Sequence, residues 1–267
     1  MGKNPVWSWY IIWYFFVGGV AAGAYVMAAF ADFFGRKEDR QLAKIGYAIA
    51  FPLVLICPIL LTLDLGMPGR TLNMFRFFRW SSPMSVGSWG LLGFGLVSFF
   101  SLILALRNRP GDRQIRRVLA VPGALFGFFI ASYTGVLLGA TNRPIWVANN
   151  WIGPLFLVSA LSTGVAALAL FSARARLSGF RQVHLATTGF EALLLVLFLQ
   201  SLGAGATLFL TGSFAPLFWG GVVLAGLAVP FGFAFLPRGR AAEAVAAILV
   251  LVGGLALRYL VLIGGQT

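Results

Sequence analysis

Cysteine occurs once in this 267-residue chain, as Cys57, and histidine once, as His184. A single cysteine cannot close a disulfide within the chain, nor hold an iron–sulfur cluster, which needs several thiolates. A single histidine excludes a haem held between two histidines and a multi-histidine metal site. Lysine is almost as scarce (Lys3, Lys37 and Lys44), so 17 of the 20 basic residues are arginine. None of the three lysines lies beyond the start of the second apolar run, which leaves a retinal Schiff base no lysine inside a late helix, and no HExxH metalloprotease pattern occurs. With no electron-carrying centre of its own, the protein cannot move electrons across a membrane. Any electron chemistry needs a bound organic carrier and a partner docked beside it.

Charge is scarce as well. Charged residues make up 10% of the chain, against about 25% in soluble domains. What fills their place is apolar: 60% of residues are hydrophobic, the mean hydropathy is +0.91, and glycine (33) and phenylalanine (26) are abundant. This is the composition of an integral membrane protein, with glycine where helices approach closely in lipid. The net charge of +13 lies in loops between apolar runs, which reads as a topology signal and not as a nucleic-acid surface.

Spans of about 20 apolar residues cross a bilayer as helices. Eight are expected, at 10–33, 43–65, 86–106, 117–139, 152–173, 185–208, 216–236 and 241–264. The fold class is therefore an all-α integral membrane protein of eight transmembrane helices in two four-helix bundles. It forms a single transmembrane domain over 1–267, because no linker is long enough to divide it. Met1 to Trp9 lacks the basic start and cleavage site of a secretory signal, so the first span is expected to stay in the mature protein. Fourteen basic residues fall in the loops opposite the termini and five on the terminal face, with Arg258 inside the last span. Positive charge marks the cytoplasmic side, so both termini are expected on the periplasmic side of a bacterial inner membrane.

Polar residues inside such spans are costly, about 2.5–3.5 kcal/mol for a carboxylate at the helix centre, and mark functional sites by default. Asp64 ends the second span. Tyr133 lies six residues before the end of the fourth and Arg258 six before the end of the eighth, about 9 Å deep at 1.5 Å per residue. Tyr10 and Tyr14 open the first span at the same level. Together these supply an acid, a cation and phenols at one depth, the mixture a polar head group needs. The plainer alternatives are an Asp64 paired with Arg70 or Arg258, an interfacial Tyr133 and a snorkelling Arg258. Nearer the cytoplasm, His184 and Glu191 stand seven residues apart on one helix face, either as a proton entry or as a structural pair. Gly19 and Gly23 form a GxxxG step, and with Gly253 and Gly254 they read as packing devices. The loops 66–85 and 140–151 are rich in proline and tryptophan. They suit either an aromatic belt or a docking surface built around Arg70, Pro83 and Trp89.

Five stretches then carry a family resemblance. They are Trp13 to Ala24 (WYFFVGGVAAGA), Leu63 to Arg70 (LDLGMPGR), Ser82 to Trp89 (SPMSVGSW), Tyr133 to Leu138 (YTGVLL) with Pro144 to Trp146, and Gly253 to Tyr259 (GGLALRY) with Gly265 and Gln266. In this order, the chain resembles the NrfD-like membrane subunits, among them the membrane anchor of polysulfide reductase. The resemblance implies menaquinone or ubiquinone bound near the periplasmic face. It also implies a ferredoxin-like iron–sulfur subunit as electron partner and a molybdopterin catalytic subunit beyond it. It places the quinone-contacting tyrosine on Tyr133 and the neighbouring acid on Asp64. Some family members carry a histidine and an asparagine on the first helix; this chain has Tyr10, Ile11 and Tyr14, so Tyr14 is the expected contact.

The expected site is thus Tyr133, Asp64, Tyr14 and Arg258 around the quinone, with Arg258 either holding Asp64 ionised or stabilising a developing anion. Asp64, His184 and Glu191 would form a proton route. The rival readings are a proton- or ion-coupled transporter without a redox role and a passive anchor embedded in membrane lipid.

Overall fold

The computed structural model describes residues 7–35, 39–64, 77–141, 143–147, 149–172, 180–235 and 239–267. Among them every regular element is helical. In chain order the apolar helices are α1 (Trp9–Phe34), α2 (Arg40–Asp64), α3 (Pro83–Arg107), α4 (Asp112–Gly139), α5 (Ile152–Phe171), α6 (Phe180–Leu202), α7 (Leu217–Phe233) and α8 (Arg240–Gly264). A short helix, Pro144–Val147, sits in the α4–α5 connection.

Seven of these are long and apolar enough to cross a bilayer, α6 being counted with its continuation to Leu210. The expected eighth span, 216–236, is present as α7 but with only 17 residues, below the length of about 20 that spans hydrocarbon unaided. It is also wound differently, as a π-helix over Leu217–Ala228 and an α-helix over Val229–Phe233. The expected span 185–208 is broken by Gly203, whose φ of +55° turns the end of α6 into a 3₁₀ step over Gly203–Ala206. Elsewhere α1 to α4 gain residues at their ends, because polar and basic turns continue a helix past its hydrocarbon stretch.

The turns follow from local chemistry. Ser8 caps α1, its Oγ accepting from the Tyr10 N–H at 3.2 Å, which satisfies one of the orphan donors of a helix start. Asn108 ends α3 in the left-handed conformation (φ 49°), and Gly111 (φ 92°) precedes α4, making a tight basic turn. α2 runs through Pro52 and Pro58 without ending, as helices in lipid tolerate when neighbours re-satisfy the backbone.

α1 is the most enclosed of the spans. It packs against α2, α4 and α5, while α3 lies against α4 and α2. α5 also contacts α6 and α8, α7 rests mainly on α8, and α6 barely touches α7. The GxxxG step works as a packing device. A methyl group on Gly23 would overlap the Ala160 carbonyl, and one on Gly164 would overlap the Gly23 backbone, so α1 and α5 meet backbone to backbone. Gly253 of α8 meets Gly226 of α7 in the same way. The two ends of the chain lie together: the Trp7 N–H donates to Gln266 Oε1 at 2.9 Å. The same face gathers the end of α2 at the start of α1 (Ser8 to Asp64), the end of α4 at the start of α3 (Tyr133 to Pro83) and the end of α6 near the start of α5 (Asn149 to Phe198); it is called the terminal face below.

Candidate functional site

On the terminal face, Tyr133 is buried and its ring lies over Gly87 of α3, where any Cβ would collide with it. Gly90 and Gly93 receive Phe129 and Phe126 in turn, so a glycine stripe on α3 accepts an aromatic stripe on α4. Phe129 stacks on the Tyr133 ring with centroids 5.2 Å apart and 26° between planes. Gly87 faces the phenol end of the ring, hydroxyl included, and that hydroxyl donates to the Pro83 carbonyl oxygen at 2.5 Å. Tyr14 of α1 is buried within electrostatic reach of Tyr133 and of Cys57 on α2. One turn on, Gly18 abuts Cys57 and Ile130. The two buried phenols therefore lie in one neighbourhood of α1, α2 and α4, among apolar side chains.

Asp64 ends α2 half-buried, and its carboxylate accepts a hydrogen bond from the Ser8 hydroxyl, the same group that caps α1. The acid is thus held at the mouth of α1. Its expected pairing with Arg258 is corrected by the structure. Arg258 is 1% exposed, and its guanidinium donates to Phe15 O (3.0 Å), Ser159 Oγ (3.2 Å) and Gly254 O (2.8 Å). Gly19 leaves the room this group occupies, and the Phe16 and Phe156 rings flank it at 5.8 and 5.6 Å. Arg258 neither snorkels nor reaches Asp64, because α1 and α5 enclose it.

The charge that Arg258 faces is Glu191 of α6. Glu191 is 7% exposed and lies against Ser159 and Ser162 of α5. Ser159 is shared between the carboxylate and the guanidinium, joining α6, α5 and α8. Ser162 Oγ and, one turn before Glu191, Thr188 Oγ1 are buried without a hydrogen-bond partner among the described residues. His184, two turns before Glu191, points elsewhere: its Nε2 lies 3.4 Å from the Pro230 carbonyl of α7. Glu191 and Arg258, which the sequence placed in separate groups, belong together, and Asp64 stands apart from both.

Of the expected docking residues, Arg70 lies outside the described residues. Pro83 is exposed at the first turn of α3, and its carbonyl is the acceptor of Tyr133. Trp89 is 38% exposed and meets Phe78 edge-on at 6.0 Å, while Phe78 meets Trp80, which is 84% exposed. The result is an open aromatic cluster formed by the first turns of α3 and the segment before it.

Two clusters escaped the sequence reading. At the basic end, Arg116 of α4 grips Asp32 of α1 through two bonds of 2.8 and 2.7 Å, both side chains buried. Tyr47 donates to the same carboxylate at 3.0 Å, and the Tyr25 ring meets Tyr47 at 5.0 Å while its hydroxyl reaches Ser101 at 2.8 Å. Asp32 sits two residues from a helix end, where an acid ordinarily reads as solvated, so its burial had no signal in the local pattern. At the terminal face, the buried Trp146 donates to Val261 O at 2.8 Å and Arg143 donates to Gln266 O at 2.9 Å. This knot joins the Pro144 to Trp146 stretch to Gly265 and Gln266, where a methyl group on Gly265 would overlap the Trp146 ring. Among the described residues, no group of three histidine, cysteine or acidic side chains is placed to hold a metal.

Comparison with known proteins adds the following. The family model described as "Polysulphide reductase, NrfD" matches residues 1–267. A component of the polysulfide reductase of Wolinella succinogenes is 28% identical, covering 99% of this sequence and 96% of its own. Protein NrfD of Escherichia coli is 26% identical over 99% and 96%. The Hdr-like menaquinol oxidoreductase integral membrane subunit of Archaeoglobus fulgidus is 21% identical over 56% of this sequence and 37% of its own.

Proposed function

The chain belongs to the polysulphide reductase NrfD family, and on that premise we propose that it is the quinone-reactive membrane subunit of a respiratory oxidoreductase complex. It would exchange electrons between the membrane quinone pool and an iron–sulfur subunit docked on the terminal face, with a molybdopterin subunit beyond. The observation that carries this reading is the pair of buried phenols, Tyr133 and Tyr14, with an exposed aromatic cluster at the start of α3 and an acid at the helix mouth. The names of two relatives point the same way: one belongs to a reductase and another to a menaquinol oxidoreductase.

The residues fit such a ligand in chemical type. A quinone ring needs apolar walls and hydrogen-bond donors at its carbonyls, and phenol hydroxyls among aromatic and aliphatic side chains supply both. When bound, menaquinone or ubiquinone would supply two-electron, two-proton chemistry that no side chain here can perform. Tyr133 would present its hydroxyl to one carbonyl by turning from Pro83 O, its ring held in place by Gly87 and Phe129. Tyr14 would bound the site from α1. Asp64 would pass protons between the site and the outer aqueous phase, oriented by Ser8. Trp89, Phe78 and Trp80, with Arg70 in the adjoining loop, would form the surface on which the iron–sulfur subunit sits.

Arg258 has a different part in this scheme from the one its depth suggested. It would compensate Glu191 inside the α5–α6–α8 group, and with Thr188 and Ser162 that pair would form the inner portion of a proton route entered at His184. The topology that suits the charge distribution has eight crossings counting α7, in two four-helix groups, with both termini periplasmic in a bacterial inner membrane.

Extracting the complex from native membranes tests the whole reading. Quinone should copurify with this chain and an iron–sulfur subunit. A chain isolated alone, free of quinone and driving proton-coupled uptake in proteoliposomes, would overturn it in favour of transport.

A further inference from the structure

Beyond any redox role, we propose that the basic end of the molecule holds a built site for the phosphate of an anionic phospholipid, seated where the C-terminus of α1 meets the first turns of α2 and α4. Arg113 and Arg117 stand one turn apart on α4, and Arg40 opens α2; Arg117 and Arg40 both act electrostatically on Arg113. Two carboxylates among the described residues nearby are already engaged. Asp32 is held bidentately by Arg116, and Asp39, close to Gly35, has interactions of its own.

Part of the arginines' work is capping. Arg117 Nε donates to Asp32 O at 2.7 Å, and Arg113 Nη2 reaches Asp32 O and Gly35 O at 3.5 and 3.4 Å. These carbonyls are the unsatisfied acceptors of the α1 end, which favours positive charge. Capping does not account for the whole arrangement. Arg113 Nε is buried and has no hydrogen-bond partner among the described residues, and a buried guanidinium N–H without an acceptor is costly. A phosphate oxygen beside Arg113, Arg117 and Arg40 would supply that acceptor, and the planar fork of arginine suits phosphate.

The surroundings select a lipid over a free anion. Directly below Arg117 on the same face of α4 comes Val121, half-exposed. On α1, Phe30 and Phe34 are exposed and stack on each other at 5.9 Å. Cations at the interface above an apolar, lipid-facing wall match a phospholipid, its head group on the arginines and its acyl chains along Phe30, Phe34 and Val121.

The full chain purified in mild detergent, with whatever subunits accompany it, provides the test. Native mass spectrometry after delipidation should find phosphatidylglycerol retained over phosphatidylcholine of the same acyl chains, and phosphatidylglycerol should raise the thermal midpoint more. Arg40→Gln removes an exposed side chain that caps no helix, and should weaken the preference roughly fivefold. Arg113→Gln with Arg117→Gln should weaken it further; if that double variant fails to insert, Arg40→Gln alone carries the test. Arg240→Gln, an exposed arginine on the same face of the molecule, should leave the preference unchanged. The proposal is overturned if the two lipids are retained equally, if millimolar inorganic phosphate protects as well as the lipid, or if Arg240→Gln matches Arg40→Gln.

Discussion

Replacing Tyr133 by phenylalanine removes one hydroxyl and leaves the ring where Gly87 and Phe129 hold it. The structural cost is that of the 2.5 Å bond to Pro83 O, about 0.5–1.5 kcal/mol for a neutral intramolecular hydrogen bond. That corresponds to a thermal midpoint lowered by roughly 1–6 °C in a chain of this size, at about 2–4 °C per kcal/mol. If the same hydroxyl turns to a quinone carbonyl on which negative charge develops, that bond exceeds the neutral one to Pro83 O by about 0.5–1.5 kcal/mol, and the excess disappears on the catalytic side. With about 1.4 kcal/mol per tenfold, kcat/KM for a soluble quinol analogue should fall roughly two- to tenfold. The assay is quinol-linked turnover in native membranes, read beside turnover with a redox dye that reacts directly at the soluble subunits. Dye-linked activity should be unchanged. Gly87→Ala perturbs the same place by other means, because a methyl there overlaps the tyrosine ring. It should cost more than Tyr133→Phe on both readouts, since the ring itself must move. The reasoning fails if Tyr133→Phe lowers the melting temperature as calculated and leaves quinol turnover untouched, for then the hydroxyl serves only Pro83.

Other substitutions probe the buried charges and the knots. Arg258→Met strands Glu191 without its compensating cation and should destabilise by about 3–5 kcal/mol; adding Glu191→Gln should restore part of that loss, measurable by thermal unfolding in detergent. Asp32→Asn leaves Arg116 similarly uncompensated, with a loss of the same order, whereas Tyr47→Phe should cost only about 1 kcal/mol. Gly23→Leu should force α1 and α5 apart and show as loss of folded protein in fluorescence-detected size exclusion, while the same change at Gly220, where the structure leaves open space, should be tolerated. Trp146→Phe gives up the bond to Val261 O and should loosen the terminal knot, seen as faster proteolysis of both chain ends.

The helices were largely legible because a bilayer leaves few options. Runs such as 10–33 and 241–264 became α1 and α8 within a residue of their expected limits. The reading failed where backbone conformation departed from the regular α-helix. Gly203 broke the span expected at 185–208, and α7 took a π-helical winding that hydropathy does not encode. Tyr133 and Asp64 were singled out from depth and motif, yet their hydrogen-bond partners, Pro83 O and Ser8, were not. Neither is a charge, and one is a backbone carbonyl, so composition and periodicity carry no trace of them.

By itself the sequence determined that the chain lives in a membrane, how its helices succeed one another, and that it lacks the cysteines and histidines of a resident redox metal. Those properties depend on residue type and on distance along a helix. Only the tertiary structure decided who pairs with whom. It set Arg258 against Glu191 and away from Asp64, buried Asp32 on Arg116, and brought Trp7 to Gln266. Two side chains at the same depth can still be a helix diameter apart, and which of them meet depends on the rotation of each helix about its axis. Close contacts such as Gly23 on Gly164 lock that rotation, and they exist only once the helices have been brought together.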